Sequence, residues 1–373
     1  MHKKICSSDI SVVVQGAIDK IATPRCLSSI RTFLPKAQII LSTWKNEKIE
    51  GLEYDMLIQS DDPGACIYDF QYMSINNINR QLVSSYNGIK QAERKYIIKM
   101  RSDLILTNNF FLNFYYLFSD FEPEYHLLKK RILTLSLYSR EFVLRGIKKF
   151  YVPFYVSDWF LFGTAEDIKD YFDIPLITNL KEYSQYFLEK DETVKRKLPF
   201  PTLSARLTPE QYICSQFVKK HIPGIAFDDM LDNTAFNVFL SKKVLLNNFI
   251  FLDYKHSGIY NEKWMDISRN ETNLPLGDAA GLILYDYFRS SSKSFRVKRI
   301  HFITRHQLIC KYYKNLVSAH ALHYTSIILG IFKALLLRVS PAYKVASDVR
   351  KQCDVIDYKL SCIKAKDLGG TKK

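Results

Sequence analysis

Short β-branched runs alternate with stretches of helical period through the first hundred residues. Ile10-Ser11-Val12-Val13-Val14 reads as a buried strand that turns into a loop at Gln15-Gly16. Thr23 and Pro24 then predict a helix start, cap followed by first helical position, and the helix carries Cys26, Leu27, Ile30 and Phe33 before stopping near Pro35. Residues 39–44 and 56–58 read as two more strands, the second running into Gln59-Ser60-Asp61-Asp62-Pro63-Gly64, a turn cluster rich in carboxylate. A further helix opens at Asn76-Asn77-Ile78 and runs through Ile89 and Ala92, and residues 96–106 form the fourth strand. This order predicts an α/β fold, an open, mostly parallel nucleotide-binding sheet flanked by helices. In such sheets ligands sit outside the carboxyl ends of the strands, where Gln15, Gly16, Asp61, Asp62 and Asp103 fall.

Charges interrupt two of the apolar runs. Lys99, Arg101 and Asp103 alternate through the fourth strand, so a period of two turns all three to one face. A carboxylate at the carboxyl end of a buried strand, beside two cations, suits a divalent metal, Mn2+ or Mg2+, held against a diphosphate; a structural ion pair is the alternative. Residues 154–163 read as another strand with Asp158 at its centre, and an acid set between apolar and aromatic neighbours suits a proton acceptor, or else caps a helix or loop. Thr208-Pro209-Glu210 reads as a helix start with Glu210 in the first turn, the second candidate acid. Trp44, Trp159 and Phe160 suit either stacking on a ligand or core packing. The charged, turn-rich residues 179–197 read as a loop or small subdomain over the site.

Composition adds a division of the chain. Of the net charge of +15, the region 289–373 contributes 18 Lys and Arg against 4 Asp and Glu, so the 288 residues before it are nearly neutral. This predicts a catalytic domain over 1–288 and a basic, partly amphipathic helical region over 289–373. Residues 324–337 are apolar but interrupted by Lys333, too short for the ~20 residues of a membrane span and suited to lying on an anionic membrane surface. No nucleic-acid motif accompanies the charge, so no nucleic-acid partner is expected. Seven scattered cysteines without a Cys-x-x-Cys, and an N-terminus without an apolar signal run, fit a reduced cytoplasmic setting.

Val12-Val13-Val14-Gln15-Gly16, Asp62-Pro63-Gly64, Asn76-Asn77-Ile78-Asn79-Arg80-Gln81, Lys99-Met100-Arg101-Ser102-Asp103, Ser157-Asp158-Trp159-Phe160 and Pro209-Glu210-Gln211 together resemble the WavE family of bacterial lipopolysaccharide-synthesis proteins. The resemblance implies a nucleotide-sugar glycosyltransferase of GT-A type. Its acceptor would be lipid-linked or lipopolysaccharide (core, O-antigen or a related surface polysaccharide), and it would sit on the cytoplasmic face of the inner membrane. The implied nucleotide-sugar contacts are Gln15, Gly16, Asp61, Asp62, Asn77, Arg80, Lys99 and Arg101, with Asp158 and Glu210 catalytic. Ala17 departs from the pattern, where a proline is expected. So does Arg101-Ser102-Asp103, which keeps only the last carboxylate of an Asp-x-Asp. Either Asp103 holds the metal, with the diphosphate and water completing the shell, or Arg101 and Lys99 replace part of its charge; His256 is a candidate further ligand or a structural residue. The choice between inverting and retaining transfer stays open. So do a capsule-type sugar-phosphate transferase and a non-catalytic, membrane-bound assembly factor.

Overall fold

The first strand, β1 (Ile10–Gln15), is buried along its whole length. Val12 and Val14 face one apolar layer and Val13 the other, so the unbroken β-branched run is the signature of a strand covered on both sides. A computed structural model of the chain describes residues 5–116, 121–145, 148–252 and 257–261. After β1 come α1 (Ala22–Phe33), β2 (Gln38–Trp44), β3 (Met56–Ser60), the hairpin β4 (Cys66–Asp69) and β5 (Ser74–Asn76), α2 (Ile78–Lys90), β6 (Tyr96–Arg101) and β7 (Ile105–Leu106). The second half holds β8 (Ile132–Leu135), β9 (Arg140–Arg145), β10 (Lys148–Tyr155), β11 (Phe160–Thr164), α3 (Ala165–Phe172), α4 (Leu180–Ser184), α5 (Glu192–Lys195), α6 (Pro209–His221), α7 (Ala235–Asn248), β12 (Phe249–Leu252) and β13 (Ile259–Tyr260).

Seven strands form the central sheet in the order β12-β8-β11-β6-β1-β2-β3. All are parallel except β11, which runs against both β6 and β8. The predicted α/β sheet, mostly parallel and flanked by helices, is present. The chain leaves β1 for β2 on one side and returns through α2 to β6 on the other, so the carboxyl ends of β1 and β6 flank a topological switch point. α1 covers one face through Cys26, Leu27 and Ile30; α2, α3 and α6 cover the other through Leu82, Ile168 and Phe217. Among the described residues no helix is long and apolar enough to cross a membrane.

Three local expectations are corrected. The strand predicted over 96–106 stops at Arg101, because residues 102–104 turn and β7 leaves the central sheet to pair with β13. Asp103 therefore sits in the turn after the strand. The strand predicted over 154–163 is two strands, with Asp158 in the link where the β9–β10 hairpin hands the chain to the central sheet. Helix α1 begins one residue before Thr23, since the Asp19 carboxylate accepts the backbone N–H groups of Ile21 and Ala22 and does the capping. Residues 179–197 include the short helices α4 and α5, α4 packing near β4 through Ser184 and Ser204. His256 and the region 289–373 lie outside the described residues.

Candidate functional site

At the carboxyl end of β1, Gly16 takes φ +115°, a conformation that side-chain-bearing residues rarely adopt. A Cβ there would stand 3.5 Å from Ser102 Oγ, an ordinary contact, so the backbone conformation rather than crowding calls for glycine. The Ser102 N–H donates to the Gln15 carbonyl (3.0 Å) and its hydroxyl to the Ala17 carbonyl (2.6 Å). Gln15 is buried and its Oε1 accepts the Ser84 hydroxyl of α2 at 2.6 Å. Gln15 thus fixes α2 over the strand ends. In the first turn of α2, Arg80 grips Asp62 through Nε (2.7 Å) and Nη2 (2.6 Å), and that guanidinium holds the Asp62 carboxyl below its usual range. Asn77, just before α2, accepts from Gln81 Nε2 (2.8 Å). Asp61 is exposed and pairs with Lys45 at 2.8 Å.

The chemistry gathers on the other side of the switch point. Because β11 is reversed, its start lies at the end of β6: the Arg101 N–H donates to the Trp159 carbonyl at 3.2 Å. Asp158 is thereby carried to the same edge. The link is held one group at a time. Ser139 Oγ accepts the Ser157 N–H (2.9 Å), Thr134 Oγ1 donates to the Ser157 carbonyl (2.9 Å), and the Lys99 ammonium donates to the Asp158 carbonyl. Lys99 is wholly buried, 5.6 Å from the Phe172 ring. Burial brings its pKa down to about 8, opposed by the charge of Asp158. It therefore lies beneath the site as a support for Asp158.

Glu210 enters from the second position of α6, whose start is set by the Thr208 hydroxyl accepting the Gln211 N–H (3.3 Å) with Pro209 at the first helical position. Its carboxyl pKa is pushed up to about 7, first by burial and then by the charge of Asp158, with Arg140 and the Thr208 hydroxyl pulling the other way. The acids sensed separately in the sequence are brought within electrostatic reach of each other. Around them stand groups that the sequence reading missed. Tyr155 and Tyr68 both feel the charge of Glu210, and burial raises both phenols. Arg140 is buried, its Nη1 3.2 Å from Tyr155 Oη, its guanidinium 5.2 Å from the rings of Tyr138 and Tyr155. Arg140 stands between Ser139 and Glu141, so no apolar run sets it apart in the sequence as one does Lys99.

Arg101 forks onto Asp103, Nε to Oδ1 at 2.9 Å and Nη2 to Oδ2 at 2.6 Å, and lies 4.4 Å above the Trp159 ring, which stacks on Tyr138 at 4.9 Å. Both oxygens of the candidate metal ligand are thus engaged by a cation. Among the described residues no three His, Cys, Asp or Glu side chains converge. With Arg101 on both of its oxygens, Asp103 does not offer a metal a free carboxylate in this arrangement.

No curated protein matches the chain. The family model for WavE lipopolysaccharide synthesis matches residues 10–326, which takes in β1, the switch point, Asp158 and Glu210. The chain belongs to the WavE lipopolysaccharide synthesis family.

Proposed function

We propose that the chain is a glycosyltransferase that moves a sugar from a nucleotide-sugar donor to a lipopolysaccharide or lipid-linked acceptor, with Glu210 as the proton acceptor. The observation that carries this reading is the carboxylate pair, Asp158 and Glu210, beside the switch-point crevice, with the Glu210 pKa at about 7. In transfer, the acceptor oxygen attacks C1 of the donor sugar as the bond from C1 to the phosphate oxygen breaks. Its electron pair leaves with the nucleotide, and the acceptor proton passes to Glu210. A base tuned near neutral pH, here by burial first and by its acidic neighbour second, holds enough of its charged form to accept that proton. The crevice side lined by Gln15, Gly16, Asp62 and Arg80 takes the nucleotide, in keeping with ligand placement at switch points. An acceptor-side base makes this an inverting reaction. The basic region 289–373 serves to hold the chain against anionic lipid, where such acceptors reside.

The test is transfer of radiolabelled sugar from a panel of nucleotide sugars into lipopolysaccharide-bearing membranes. Glu210→Gln is expected to lower the rate by ~100-fold or more at unchanged donor binding. Full activity of both Glu210→Gln and Asp158→Asn would overturn the assignment. Product that retains a phosphate from the donor would point to sugar-phosphate transfer instead.

A further inference from the structure

The pairing of Arg101 with Asp103 bears on what neutralises the leaving nucleotide. This inference rests on the transferase reading and deepens it. Arg101 ends β6 directly opposite Gln15 of β1, at the switch point where a diphosphate would lie. Its side chain is 29% exposed, so it reaches the crevice, whereas Lys99 is sealed below. Asp103 takes the Nε and Nη2 edge and Trp159 takes one face. By the geometry of a guanidinium, Nη1 then points away from the carboxylate. A planar cation held on an edge and a face loses little freedom when it meets a phosphate oxygen, and it is the group best shaped for that contact.

The charge balance leads the same way. A metal at a diphosphate is normally held by one or two free carboxylates together with the phosphates. Here Arg101 occupies both oxygens of Asp103, and Lys99 and Arg140 stand nearby, so the cations at the strand ends come from the chain itself. We propose that Arg101, oriented by Asp103 and Trp159, does the work of a divalent metal: it takes up the negative charge that develops on the nucleotide diphosphate, and nucleotide binding by this chain needs no metal. Asp103 is on this reading a positioning residue for Arg101 rather than a ligand.

Calorimetry on the full-length protein with UDP, GDP, dTDP and CMP, first in EDTA and then in excess Mn2+ or Mg2+, tests this. One nucleotide is expected to bind with equal affinity, to within about twofold, in both conditions. Arg101→Met is expected to weaken it ~30-fold or more, and Arg101→Lys, which keeps the charge but loses the planar fork, by ~10-fold. Asp103→Asn is expected to weaken it severalfold without creating a metal requirement. Binding seen only with Mn2+ or Mg2+, and lost in Asp103→Asn, would overturn the proposal while leaving the transferase reading intact. Binding of no nucleotide in either condition would overturn both. Thermal melting of each variant separates lost binding from lost fold, and Arg101→Lys guards against a misfolded Arg101→Met.

Discussion

Glu210 carries opposite consequences for stability and for activity. Its folded pKa of about 7 lies above the ordinary 4.5, so the folded chain holds that proton more tightly than the unfolded one. Stability is therefore lost as pH rises from about 4.5 to 7, by on the order of 3 kcal/mol once the group is fully ionised. Glu210→Gln is expected to melt several degrees higher than the parent at pH 8, with little difference at pH 5, in calorimetric scans across that range. The parent's transfer rate should fall on the acid side with an apparent midpoint near 7, a limb that belongs to the Asp158–Glu210 pair, and Glu210→Gln should lose it. Lys99→Met separates a support from a ligand contact. It removes a buried charge but leaves the Asp158 carbonyl without its donor, opposing effects of about 1–3 kcal/mol each. Steady-state kinetics are expected to show kcat down ~10–100-fold through displacement of Asp158, with donor KM unchanged. A raised donor KM at constant kcat would return Lys99 to the nucleotide.

At the scale of elements, α2 matters most, because it closes the switch-point crevice with Arg80 and Ser84. It comes so near the sheet that a Cβ on Gly88 would meet Val13 Cγ1 at 2.5 Å and Ser42 Cβ at 2.9 Å. Alanine is the better helix former by ~1 kcal/mol, yet overpacking a sealed interface costs about 1–3 kcal/mol. Gly88→Ala is therefore expected to lower the denaturant midpoint at an unchanged slope, and a raised midpoint would show that α2 has room to lift. Strands β1, β2 and β6 were legible because each is buried on both faces and carries a run of β-branched and other apolar residues. The β4–β5 hairpin was not, for its strands are only partly buried and its tip exposes Tyr72 and Met73. Asp158 was identified as an acid of interest although its strand was misjudged. Apolar residues run from Phe154 to Phe162 with only Ser157 and Asp158 between them, and the change of partner from β9 to the central sheet ends one strand and begins the next.

For the whole molecule, the sequence suggested both candidate acids but not that they meet, since their encounter depends on the reversed direction of β11 and the docking of α6. Arg140 escaped for the same reason: its strand belongs to a separate two-stranded sheet that no local period announces. The charge asymmetry makes a prediction at this scale too. Full-length protein is expected to sediment with vesicles rich in anionic lipid at low salt and to release near 0.5 M, where the screening length is only about 4 Å. Binding that ignores salt would assign the attachment to apolar contact.

The outermost pairing of the sheet has a consequence for how the protein is made. Strand β8 receives its neighbour β12 from residues 249–252, more than a hundred positions further along the chain. A ribosome adding ~5–20 residues per second leaves that edge bare for several seconds or longer while β12 is still unmade. During that time the nascent chain presents Ile132 to Leu135, an uncharged, mostly apolar strand, as a template for stray strands. Chaperone demand during synthesis should therefore fall sharply once Leu252 has cleared the exit tunnel. Chains ended at Asn248 are expected to pellet in a cell-free translation reaction, where those extending past Tyr260 remain in the supernatant.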